Sequence, residues 1–247
     1  MSLSVYPYYF FFLISRLFTF IVIFFKYGSN FFIIFIFILI ILIFIWFKDV
    51  CFEGLRGYHN FFVQDGLKYG MMLFIFREFI FFFCIFWLFF DTSIVLMIDV
   101  GDTWPIDGLV LINPLGVPLL NSFVLLRSAA SVTWSHYSLL SNNNSLTRLF
   151  LTILLSVYFL LLQRIEYLES FFSIRRGIYG RIFFFSTGFH GLHVLFGSIF
   201  LIVNYTRILN NHFRYTHHLG FEFSIIYWHF VDVVWLFLFV FVYWWSF

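Results

Sequence analysis

The chain has 247 residues, of which 63% are hydrophobic and 11% charged, with a mean hydropathy of +0.99. A soluble globule carries about 25% charged residues, so this composition excludes one and reads as a polytopic membrane protein. A net charge of only +2 and the lack of any basic run leave nucleic-acid binding without electrostatic support.

Residues 8–25 form an apolar run interrupted by Arg16, with neither the basic start nor the small-residue cleavage site of a secretory signal. It reads as a retained first span. Lys26-Tyr27-Gly28-Ser29-Asn30 is a short turn, and 31–47 is an uncharged second span closed by Trp46. Residues 48–69 read as a polar connection. In it Lys48, Glu53, Arg56 and His59 lie beside Trp46, and cations and donors next to apolar helices can hold a phospholipid headgroup or simply be solvated. The third span, 69–90, carries Arg77 and Glu78 at its middle. An acidic loop, 91–118, contains Asp91, Asp99, Asp102 and Asp107 and no Lys or Arg. The fourth span, 119–140, is less apolar and is interrupted by Arg127 and His136, and 141–145 is a loop ending in a plausible N-cap.

The fifth span is 146–168, the sixth 182–205 and the seventh 222–245. From Glu222 to Trp245 the last span would reach about 36 Å as a helix, with no Lys, Arg, Gly or Pro inside it. Glu222, His229 and Asp232 fall near one of its faces, which must meet protein or a cavity, because ionisable groups are costly in hydrocarbon. The pattern therefore gives an all-α membrane protein of seven transmembrane helices in one polytopic domain over 1–247. Loop charges do not orient it: Lys48, Arg56, Lys68, Arg148, Arg207 and Arg214 on one side face Lys26, Arg164, Arg175, Arg176 and Arg181 on the other. The acidic loop weakly favours an inside N-terminus. The 44 Phe against 2 Ala have no basis in membrane physics and read as the coding bias of an AT-rich organellar genome.

Polar groups within the spans carry the candidate chemistry. Glu78 is either neutral, or charged and paired. It serves as a proton-exchangeable or lipid-contacting carboxyl, or as an interhelical hydrogen bond. Arg77 points about 100° away around the helix, which makes Glu78 a poor partner for it. His190 and His193 share a face at i and i+3, and with His136, His229 and Asp232 they suggest either a metal or haem site or hydrogen-bonded packing histidines. Thr187, Gly191, Val194 and Ser198 make a small-residue stripe suited to close helix approach. Cys51 and Cys84 have no pair spacing and read as apolar residues. Arg77 and Arg127 both require a carboxylate, carbonyl or phosphate partner; for Arg127 the available membrane acids are Glu78 and Asp232.

The closing segment, His217-His218-Leu219-Gly220-Phe221-Glu222 through Tyr227-Trp228-His229-Phe230-Val231-Asp232-Val233-Val234-Trp235 to Tyr243-Trp244-Trp245, resembles the C-terminal signature of cytochrome c oxidase subunit III. Ordered matches follow the same family from about residue 44: Trp46-Phe47-Lys48-Asp49-Val50, Gly66-Leu67-Lys68-Tyr69-Gly70, Glu78, Asn113-Pro114, Thr133-Trp134-Ser135-His136, Glu166-Tyr167 and Thr187–Val194. Residues 1–43 match by hydrophobicity only.

The resemblance implies a core subunit with no catalytic residue, metal or cofactor of its own, in a multi-pass position in the mitochondrial inner membrane. The haem a and copper of the complex belong to subunits I and II. It also implies two splayed first helices forming a V-shaped cleft filled by phospholipids. The partners implied are direct contact with subunit I near a proton-uptake path, subunit II and accessory subunits beyond, and cytochrome c at the level of the complex. Trp46, Glu53, Arg56 and His59 are then candidates for the lipid site and Glu78 for the membrane carboxyl, with His136, His190, His193, Glu222, His229 and Asp232 forming a structural polar core. Departures from the family pattern include Phe52 before Glu53, Arg77 before Glu78, and Arg127. Two other readings remain: subunit III of a quinol oxidase, and a proton or small-solute transporter using Glu78, Asp232 and the histidines as a relay.

Overall fold

The computed structural model describes residues 4–95, 104, 110–141, 143–175, 177–213 and 217–247. Asp99, Asp102 and Asp107 of the acidic loop, with Arg176 and Arg214, lie outside the described residues. Among the described residues, seven α-helices follow in order: α1 Tyr6–Tyr27, α2 Phe32–Leu55, α3 Phe61–Ile94, α4 Val117–Leu140, α5 Leu146–Glu169, α6 Gly177–Leu209 and α7 Leu219–Leu238. The last continues as a π-helical turn, Phe239–Trp244, in which Trp245 N donates to Val240 O at 2.9 Å. Among the described residues, six helices are long and apolar enough to cross a bilayer.

Local chemistry explains where the helices begin and end. Pro7 occupies the first turn of α1 and Pro118 that of α4, positions where the missing N–H has no helical partner to lose. Gly28 ends α1 at φ +71°, with its N–H on Phe24 O at 2.8 Å. The connection expected over 48–69 shrinks to 56–60. Lys48, Asp49 and Glu53 continue α2, and Gly57 at φ +81° turns the chain. Asn60 Oδ1 then accepts from Val63 N at 3.1 Å to cap α3.

The chain forms two compact units, Met1–Leu67 and Lys68–Phe247. In the first, α1 and α2 make a hairpin through Phe20 stacked on Phe35 at 4.6 Å and Tyr6 stacked on Trp46 at 6.1 Å, and the Tyr6 hydroxyl donates to Asp49 Oδ2. Two helices alone bury no residue fully.

In the second unit α7 packs on α6 and α4, α4 on α5, and α5 on α6. The buried positions of α7, among them Phe221, Ile225, Trp228, Val231, Trp235 and Leu238, recur every three or four residues, as a helix with one inner face requires. Helix α4 is too polar for the hydropathy of a free-standing span, and the reason is visible. Its buried face holds Asn121, Ser122, Ser128, Ser131, Ser135 and Ser138. Several of these hydroxyls donate to carbonyls three or four residues earlier: Ser122 to Pro118 at 3.0 Å, Ser128 to Leu125 at 2.6 Å and Ser138 to Ser135 at 2.7 Å. Hydroxyls satisfied within their own helix can be buried at little cost, so the polar face is an interior face.

Candidate functional site

The first cluster joins α3 to α6. His193 Nε2 lies 3.0 Å from Glu78 Oε2, while its Nδ1 lies 2.8 Å from the carbonyl of Phe189 one turn earlier. A carbonyl only accepts, so Nδ1 bears a hydrogen. The Nε2–carboxyl contact then holds one further proton, whichever of the two atoms carries it. The ring is fixed by Phe82 edge-on at 5.0 Å and Tyr227 stacked at 6.4 Å. Arg77 Nη2 and Nε also donate to Glu78 Oε1, at 2.6 and 3.2 Å, which corrects the expectation that adjacency prevents this pairing. The long arginine side chain spans the angular gap, and its guanidinium lies 5.1 Å from the Phe74 ring.

His190 and His193 do not act as one pair. Three residues along a helix separate them by about 60°, and they reach different neighbours. His190 is fully buried, donates from Nε2 to Val231 O at 3.2 Å, and packs against Trp235 at 5.1 Å and Phe159 at 5.7 Å. Of the small-residue stripe, Thr187, Val194 and Ser198 are buried, but Gly191 is not a point of close approach. A Cβ on Gly191 would meet nothing within 4 Å, whereas one on Gly197 would meet the Trp228 ring at 2.9 Å. Gly197 is a point of close approach between α6 and α7.

The polar side of α7 also divides. His229 Nε2 contacts Thr133 Oγ1 at 3.1 Å, and its Nδ1 is 3.9 Å from Asp232 Oδ2. Asp232 is buried, and neither carboxyl oxygen has a hydrogen-bond partner among the described residues. Glu222 instead meets His218, with Oε1 3.0 Å from His218 Nε2, and His218 Nε2 lies 3.2 Å from His136 Nε2. Arg127 pairs with neither Glu78 nor Asp232. It is exposed, at the flank of the buried serine face of α4.

A further buried network escaped the sequence reading, which counted only Glu78 and Asp232 as membrane acids. Glu166 is 3% exposed, and its Oε1 accepts from Tyr243 Oη at 2.6 Å and from Gln163 Nε2 at 3.2 Å. Asn121 Nδ2 joins through Gln163 Oε1 at 3.4 Å. The signal was available: Thr152, Ser156, Phe159, Gln163 and Glu166 step by three and four, which places them on one face of α5.

In the first unit, Trp46 is half-buried between Tyr6 and Phe10. The imidazole of His59 covers Gly54, where an added Cβ would meet Nδ1 at 3.1 Å. Glu53 and Arg56 are exposed nearby in sequence, at the end of α2 and just beyond it.

Residues 1–247 match the family described as cytochrome c oxidase subunit III. The chain is 53% identical to cytochrome c oxidase subunit 3 of Canis lupus over 204 residues, 81% of this chain and 78% of that protein. It is 52% identical to that of Felis catus and 51% to that of Drosophila melanogaster, over the same shares of each chain.

Proposed function

Because the chain belongs to the cytochrome c oxidase subunit III family, we propose that it acts as the non-catalytic core subunit III of a respiratory terminal oxidase in the mitochondrial inner membrane. In this reading it packs on subunit I, stabilises that catalytic subunit, holds phospholipids beside its first two helices, and supports proton uptake. Subunit II and accessory subunits complete the assembly, haem a and copper reside in subunits I and II, and cytochrome c meets the complex away from this chain. The observation that carries the reading is a family match over all 247 residues, with curated relatives above 50% identity.

Two structural features support the finer roles. Glu78 and His193 meet at 3.0 Å largely out of solvent, the kind of carboxyl–imidazole contact that a group near a proton path needs. Arg127 presents a cation on an apolar helix face, where a carboxylate of a partner subunit or a lipid phosphate would meet it.

The test is purification of the tagged chain from native membranes. Haem a and copper are expected to copurify with it, along with oxygen consumption driven by ferrocytochrome c. Oxidation of a quinol in place of cytochrome c would move the chain to the quinol oxidases. Isolation without haem, together with solute or proton flux by the chain alone in liposomes, would establish the transporter reading instead.

A further inference from the structure

Asn121, Gln163, Glu166 and Tyr243 come together at one end of the second unit. Asn121 lies in the second turn of α4, Gln163 and Glu166 in the last two turns of α5, and Tyr243 in the π-helical turn after α7. Their hydrogens can be placed one by one. Gln163 Nε2 is 3.2 Å from Glu166 Oε1 and 3.4 Å from Tyr243 Oη, which uses both amide hydrogens. Tyr243 Oη therefore accepts from Gln163 and gives its own hydrogen to Glu166 Oε1 at 2.6 Å. The Gln163 carbonyl oxygen takes Asn121 Nδ2 at 3.4 Å.

Oε1 thus accepts two hydrogens and has no place for one of its own. Oε2 is buried and meets no donor among the described residues. Glu166 is 3% exposed, and no Lys, Arg or His among the described residues pairs with it. The helices around it bring uncharged groups: Asn121 from α4, Tyr243 from the π-helical turn, and from α6 Tyr179, whose hydroxyl donates to Val242 O at 3.1 Å. The buried imidazole of α6, His190, is engaged with Val231 O. An ionised carboxyl here would be stripped of water with no opposing charge, which is strongly unfavourable in a protein interior. A hydrogen on Oε2 removes the charge and leaves both bonds to Oε1 in place.

We propose that Glu166 is a proton-binding site, held as the neutral acid with its hydrogen on Oε2 and with Oε1 as a carbonyl oxygen fixed by Tyr243 and Gln163. The proton is exchangeable. Glu166 stands three residues, about 4.5 Å of helix rise, before Glu169 at the end of α5, and so beside the connection that leaves the helix. The site differs in kind from Glu78–His193. There a carboxyl shares a proton with an imidazole, whereas Glu166 has hydrogen-bond donors for neighbours and keeps the proton itself. The assignment does not depend on which complex the chain enters.

The test compares infrared spectra of the intact assembly, purified from native membranes, with those of single variants in H2O and in D2O. Wild type minus Glu166→Gln is expected to show the C=O stretch of a protonated carboxyl, moved to lower wavenumber by D2O, while Glu78→Gln and Asp232→Asn retain that band. Tyr243→Phe removes a hydrogen bond to Oε1 and is expected to move the same band to higher wavenumber. Unchanged helix content by circular dichroism confirms that each variant is folded. A carboxylate stretch in place of the C=O band, a band that D2O does not shift, or a band that Tyr243→Phe leaves unmoved overturns the proposal.

Discussion

Trp228 donates its indole N–H to the Ser128 hydroxyl at 2.9 Å, and two turns along α7 Trp235 does the same to Ser122 at 3.0 Å. Residue numbers rise along one helix as they fall along the other, so α4 and α7 run antiparallel. The two bulkiest fully buried side chains are thus held by a face of hydroxyls. This arrangement reconciles the low apolarity of α4 with its place in the interior: the serines that depress its hydropathy give the indoles acceptors they could not find among leucines.

Ser128→Ala is expected to destabilise the second unit by about 1 kcal/mol, because it leaves a buried indole donor unmet. The figure lies within the range for hydrogen bonds between membrane helices, about 0.6 kcal/mol on average and up to about 1.7. Thermal unfolding in detergent of Ser128→Ala, Trp228→Phe and the double variant checks it. Strict additivity of the two single effects would show that the pair is not coupled.

Gly197→Ala is expected to cost about 1–3 kcal/mol, since its methyl would lie 2.9 Å from the Trp228 ring and 3.3 Å from Tyr227. Gly191→Ala, with open space around it, is expected to be neutral or to gain up to about 1 kcal/mol from helix propensity. Equal unfolding midpoints for the two variants would mean that the close α6–α7 contact lies elsewhere.

His193→Ala is expected to be more harmful than Arg77→Ala. The Arg77 side chain is 72% exposed in its pair with Glu78, whereas His193 at 12% and Glu78 at 14% meet largely out of solvent. An exposed ion pair contributes roughly 0–1 kcal/mol, and a hydrogen bond to a charged group about 1.5–3 kcal/mol. Thermal midpoints of the two variants compare them directly, and an infrared difference between wild type and Glu78→Gln reads whether the shared proton rests on the carboxyl.

Phospholipid bound at the end of α2 is expected to survive detergent extraction and to fall in His59→Ala and Trp46→Ala, as read by native mass spectrometry of the assembly. Tyr6→Phe is the control. It removes the hydroxyl bonded to Asp49 but keeps the ring stacked on Trp46, and should leave lipid retention unchanged. Equal retention in all four proteins would remove these residues from the lipid site.

Hydropathy was enough to find six of the seven helices among the described residues, because burying about 20 apolar residues in a bilayer leaves the chain few alternatives, while the less apolar α4 was set off by the loops on either side of it. Helix ends were less legible. The charged residues 48–55 read as a loop, yet Lys, Asp and Glu project into water from a helix as readily as from a coil, and only Gly57 with its positive φ marks the true turn. Single spacings showed which face a residue occupies without showing what stands opposite. The positions of Glu78 and His193 stood out as polar residues in apolar spans, but their pairing across 115 positions is a product of helix packing. Glu166 was passed over because it stands near the end of its span, where a carboxyl normally reaches water; the π-helical turn that brings Tyr243 onto it has no mark in the hydrophobic pattern.

The serine face of α4 also bears on how the protein is made. A segment whose hydroxyls and asparagine are only worth burying against α5 and α7 gains little from entering lipid by itself, and Arg127 at its middle adds about 2.5–3.5 kcal/mol to that cost. Helix α5 follows after the five residues 141–145 and supplies Thr152, whose hydroxyl lies 2.8 Å from that of Ser131. The two helices are therefore expected to leave the insertion machinery as a hairpin. In an insertion assay α4 alone should remain largely outside the membrane, and α4 joined to α5 should cross it.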